Sequence, residues 1–144
     1  MSVEFGMLHV RRGMLVAGLI AAKRYDEGIA VYREAIQYAD NSADQFWNPE
    51  LHRLQGELLL GSSAPQEEVM ESLQKSLTLS RKHGSKLLEL RSTVSLCRLW
   101  QTQGKLAEAH QLLASIYGWF TEGFDTVDLK EAKALLEELA VEIQ

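Results

Sequence analysis

Apolar side chains recur three or four positions apart over nearly the whole chain, and strand-like alternation is never sustained. That periodicity predicts a succession of helices. The first spans 7–22, with Leu8, Leu15, Leu19 and Ala22 in step. A turn through Lys23, Arg24 and Tyr25 leads to Asp26, a suitable N-cap for a second helix over 27–40. That helix carries Ile29, Tyr32, Ala35, Ile36 and Ala39 on one face. The Asx-rich stretch from Asn41 to Asn48 reads as a loop, with Phe46 and Trp47 folding back onto the core. Pro49 suits the first turn of a third helix over 49–60, with Leu51, Leu54, Leu58 and Leu59 inward. Gly61 to Pro65 breaks it. A fourth helix over 65–83 presents Val69, Leu73 and Leu77, and Gly84 supplies its C-terminal cap.

Helices over 86–103 and 105–117 follow, the fifth ending at Gly104. An aromatic, glycine-containing turn from Tyr117 to Thr126 precedes the last helix, 127–142, capped by Asp125 or Thr126. Its inward residues are Leu129, Ala132, Leu135, Leu136 and Leu139. The expected fold is all-α, a single domain over 1–144, with helix pairs at about 7–40, 49–83 and 86–117 and a capping helix at the end.

The pairs share a pattern. When their second helices are superposed, a small-residue position falls at Gly28, Val69 and Ala109, spacings of 41 and 40. A small residue there lets two helices approach closely, and a bulky one four positions on (Tyr32, Leu73, Leu113) fills the gap to the next pair. This arrangement resembles the tetratricopeptide repeat (TPR), best in the third pair, where Leu96, Trp100, Gly104, Leu106 and Ala109 occupy the expected positions. The period exceeds the roughly 34 residues of the standard repeat, so the resemblance is to a TPR-like superhelix. A closer likeness covers roughly 49–140. Glu50 to Leu60, Leu88-Glu89-Leu90-Arg91, Ser95 to Trp100, Gln103-Gly104-Lys105 and the turn Tyr117 to Thr126 are similar to the repeat region ending many large bacterial signalling ATPases. The Gly-rich phosphate loop of those ATPases is missing from this sequence. The resemblance implies a non-catalytic scaffold, with protein or peptide partners and no cofactor.

Composition adjusts this picture only at the edges. A net charge of −5 lacks the basic excess that phosphate neutralisation demands, so no nucleic-acid partner is expected. No run is long enough to span a bilayer, and the one cysteine, Cys97, calls for no oxidising compartment. Arg11 and Arg12 before the apolar stretch Gly13 to Ala22 also fit a signal peptide, but Glu4 in the basic region and the fit to a repeat helix favour a cytoplasmic protein.

Candidate chemistry is sparse. His9, His52, His83 and His110 have no metal-type spacing, and Cys97 occupies a packing position, so neither metal site nor nucleophile is expected. In TPR folds the first helix of each pair lines a concave groove. Carried over, that puts Arg53 and Glu57, then Arg91, Arg98 and Gln101, on groove faces. Two readings stand. The arginines clamp the carboxylate of a peptide or small acidic ligand, or they belong to an ion-pair ladder with Glu57 as an acid partner. The aromatics Tyr117, Trp119, Phe120 and Phe124 similarly either staple the last helix or form a ligand platform. The first helix is apolar around much of its circumference, and Met14, Leu15, Leu19 and Ile20 are the candidates for self-association into a homodimer.

Overall fold

In the computed structural model, residues 13–41 and 48–144 are described. They form seven helices and, among them, no strand. The helices are α1 (13–21), α2 (Tyr25–Asn41), α3 (Asn48–Gly61), α4 (Gln66–His83), α5 (Lys86–Thr102), α6 (Leu106–Tyr117) and α7 (Val127–Ile143). The all-α expectation holds, with boundaries shifted by one or two residues. Residues 7–12 of the first expected helix, His9, the side chain of Ala39, and Phe46 and Trp47 lie outside the described residues. None of the described helices is long and apolar enough to cross a membrane.

Asp26 is not an N-cap. The helix already begins at Tyr25, where the Arg24 carbonyl accepts from the Gly28 N–H at 3.0 Å, and Asp26 joins Glu27 in the first turn. There both carboxylates face the positive end of the helix dipole.

Four of the helices end in the same way. After α1, the Arg24 N–H donates to the Leu19 carbonyl and the Lys23 N–H to that of Ile20. After α3 the pair is Ala64 to Leu59 and Ser63 to Leu60; after α4, Ser85 to Ser80 and Gly84 to Arg81; after α5, Lys105 to Trp100 and Gly104 to Gln101. This pair of hydrogen bonds closes the last turn and requires one left-handed residue. Gly84 and Gly104 supply it at φ +71° and +77°, whereas Lys23 and Ser63 adopt it with a side chain, at +58° and +60°.

The chain divides into two compact units, one up to Leu79 and one from Ser80. In the first, Val16, Tyr32, Ala35, Leu51, Leu54 and Leu58 form the core. Gly28 lies against both Leu19 and Leu58, while Tyr25 packs over Gly61, so α2 and α3 run antiparallel. α1 then runs parallel to α3: Gly13 borders Leu54, and Leu19 and Leu58 meet the same glycine. Gly56 packs on Leu73, and the Ser76 hydroxyl donates to the Pro49 carbonyl at 2.5 Å, making α3 and α4 antiparallel too.

The second unit is organised around α5. Leu90, Val94 and Cys97 pack with Ala109, Leu113 and Ile116 of α6 and Leu129, Ala132, Leu135 and Leu139 of α7. Trp100, Leu106, Tyr117, Phe120 and Leu136 close the edges of this cluster. Of the expected inward residues of α7, Leu136 is half-buried and the other four are buried. Ser85 caps α5, accepting from the Leu88 N–H at 3.3 Å.

Two helical glycines separate packing from propensity. A Cβ at Gly56 would stand 2.6 Å from Leu73 Cδ2 and 2.9 Å from its Cγ, whereas one at Gly18 meets nothing within 4 Å. Alanine favours a helix over glycine by about 1 kcal/mol, and overpacking costs about 1–3 kcal/mol. Gly18→Ala is therefore expected to raise stability and Gly56→Ala to lower it by up to about 2 kcal/mol, as read by urea unfolding.

Candidate functional site

The residues nominated from sequence fall into two groups. Arg53 and Glu57 lie on α3 in the first unit, and Arg91, Arg98 and Gln101 lie on α5 in the second. Arg53 does not take Glu57 as its partner. Its Nε donates to Glu50 Oε1 at 2.5 Å, pairing it with a carboxylate buried at the start of the same helix. The reason lies in side-chain direction: helical side chains lean toward the N-terminus, so Arg53 reaches back three residues more readily than forward four. Glu57 is half-buried, and no described ion pair includes it.

On α5 the picture is one of interhelical ties. Arg91 grips Asp128 of α7 through two parallel bonds, Nε to Oδ1 at 3.1 Å and a terminal nitrogen to Oδ2 at 3.2 Å. Three turns further on, the Gln101 amide donates to Glu142 at 2.8 Å and Glu138 at 3.4 Å. Both contacts advance together along the two chains, so α5 and α7 run parallel. Arg98 lies on the same stripe between them and is exposed, and no described ion pair includes it. For Arg91 the carboxylate that a ligand would bring is already supplied, by the protein itself. The ladder reading fits this residue, with an acid from α7 rather than Glu57.

A second charged knot sits where α4 meets α5. Glu89 is buried, and Arg81 Nε and Lys86 Nζ each approach its carboxylate at 3.3 Å. Lys86 also lies 5.8 Å from the centre of the Trp119 ring. The aromatic turn divides its labour. Tyr117 and Phe120 pack against the core of the second unit, as a staple would, while Trp119 is 57% exposed and Phe124 45%. Phe124 keeps a tilted contact with Tyr117 at 5.8 Å, and Trp119 an edge contact with Phe120 at 5.2 Å.

Cys97 is fully buried and donates its Sγ–H to the Ala109 carbonyl at 3.2 Å. Burial pushes its thiol from 9.0 up to about 12, against a smaller opposite pull from a backbone contact at Leu113. At neutral pH it stays a thiol, and the thiolate is the form that attacks or binds metal. No cluster of metal-ligating side chains occurs among the described residues.

The self-association candidates on α1 separate by face. Leu19 is 7% exposed and Ile20 half-buried, both turned to the core of the first unit, so neither offers a free surface. Met14 and Leu15 are 70% and 52% exposed. Ala17, Gly18, Ala21 and Ala22 are exposed alongside them, leaving an outer face with no polar side chain over residues 14–22. No family model matches the chain, nor does any curated protein or solved structure.

Because the Arg91–Asp128 pair is bidentate and partly buried, it should couple α7 to α5 measurably. A double-mutant cycle with Arg91→Ala and Asp128→Ala is expected to give a coupling energy of about 1 kcal/mol in urea unfolding, shrinking as salt rises.

Proposed function

We propose that the chain is a TPR-like, non-catalytic interaction module that associates with copies of itself through the outer face of α1. The observation carrying this reading is that face: Met14, Leu15, Ala17, Gly18, Ala21 and Ala22 are all exposed and all apolar or glycine. A solvated helix face is ordinarily polar, as on α7, where Lys130, Glu131, Lys133, Glu137 and Glu138 point outward. Small residues at i and i+4 allow a second helix to approach closely, and a face without charge is complementary to itself.

The repeat character has its own support. Alternate helices run parallel within each unit, with Gly13 against Leu54, 41 positions on, and Arg91 against Asp128, 37 positions on. A stack of helix pairs generates that relation, since each pair returns the chain to its starting direction. The likeness of 49–140 to the tail of signalling ATPases makes a cytoplasmic regulator the natural setting. A second reading, a sensor for a peptide or small acidic ligand, rests on Arg98, exposed on the seam between α5 and α7.

Light scattering across a concentration series tests the main reading. The wild-type chain is expected to exceed monomer mass, and Met14→Glu with Leu15→Glu to lower it while leaving helicity unchanged. A wild-type chain monomeric at its solubility limit contradicts self-association.

A further inference from the structure

The second unit carries a further, unlike pair of surfaces at its two ends. Because α5 and α7 are parallel and α6 returns between them, the N-termini of α5 and α7 share one end with the C-terminus of α6. At this end the last turn of α4 and the start of α5 bring together Arg81, Lys82, His83 and Lys86, with Trp119 stacked beside Lys86. Among the described residues the acid paired at this corner is the buried Glu89, which Arg81 and Lys86 both approach; Glu122 and Asp125 follow along the aromatic connection, and Asp128, at the start of α7, is taken by Arg91. Arg81, Lys82, Leu87 and Trp119 are exposed. The corner is cationic and apolar on a chain whose net charge is −5.

The opposite end is its chemical complement. α7 is 17 residues long, so its far end lies about 25 Å away. There Glu137, Glu138 and Glu142 are exposed together with Val141, at 70%, and Ile143, at 48%. Acids interleaved with exposed aliphatic side chains form a short helical end that suits a corner of arginine, lysine and tryptophan. Charge complementarity of this kind steers encounter and fixes orientation, while the apolar side chains supply contact area.

We propose that the end of α7 in one copy docks on the Arg81–Lys86–Trp119 corner of a second copy, head to tail. This rests on the reading of the chain as a self-associating module but uses a different surface from α1. The two docking surfaces are unlike, so the contact is heterologous. Each added copy leaves one corner and one α7 end open, and association propagates unless it closes into a ring.

The test is made in the chain carrying Met14→Glu and Leu15→Glu, where α1 contributes nothing. Lys82→Glu with Trp119→Ala spoils the corner and spares Arg81 and Lys86, which hold Glu89. Glu137→Lys with Val141→Lys spoils the α7 end and spares the partners of Gln101. Circular dichroism checks that each variant keeps its fold. By analytical ultracentrifugation the parent is expected to grow with concentration and to lose its larger species at high salt. Each variant alone should be monomeric, and an equimolar mixture should form a heterodimer and stop at two, since only one intact pair of surfaces remains. A parent that is monomeric at its solubility limit, variants that assemble like the parent, or a mixture that stays monomeric would overturn the proposal. The α1 reading is judged separately, by what Met14→Glu and Leu15→Glu do to the wild-type mass.

Discussion

α5 has almost no face left for water. Of its residues only Leu87, Arg98 and Thr102 are exposed, and ten are buried. A helix that is apolar on one stripe needs a single neighbour, but α5 needs more, because Leu90, Val94 and Cys97 line one side while Leu88, Leu96 and Leu99 are buried away from that cluster. α6 alone cannot cover the first side. Its short connection from α5 holds it antiparallel, and α7 must fill the remaining groove with Leu129, Ala132, Leu135 and Leu139. Burying aliphatic side chains of this size contributes about 1.5–3 kcal/mol each before the entropy of ordering is subtracted. Apolar contact of that magnitude outweighs the polar ties. Arg91–Asp128 and Gln101–Glu142 act chiefly on register, fixing how far along α5 the last helix docks.

Direction is set at the helix ends. The shared closure after α1, α3 and α5 turns the chain sharply, so within each unit consecutive helices become antiparallel and alternate ones parallel. Close approach then depends on small residues. Gly28 admits Leu58, Gly56 admits Leu73, and Gly61 admits the Tyr25 ring. The Ser76 hydroxyl meets a similar need with a hydrogen bond, satisfying the Pro49 carbonyl while remaining small.

Much of this is legible in the sequence because it is periodic. The helices, the glycine stops at Gly84 and Gly104, and the close packing at Gly28, Val69 and Ala109 all follow from local spacing and size. What escapes is whatever depends on distant residues or on side-chain direction. Spacing makes Glu57 and Glu50 equal candidates for Arg53, and only the backward lean of helical side chains selects Glu50. The partner of Arg91 lies 37 residues away on another helix, beyond any local pattern. Composition marks α1 as apolar all round, but only packing distinguishes Leu19, which the core claims, from Met14, which it leaves outside.

α5 and α7 run parallel, in a register set by Arg91 and Asp128. Spin labels measure this directly, and Cys97 is too buried to take a label in the folded chain. Labelled cysteines replacing Leu87 and Val127 are expected to lie close together, and those replacing Leu87 and Val141 to lie farther apart by roughly 20 Å, the rise of fourteen helical residues. The reverse order, with Leu87 nearer Val141, would mean antiparallel helices and would contradict the parallel arrangement.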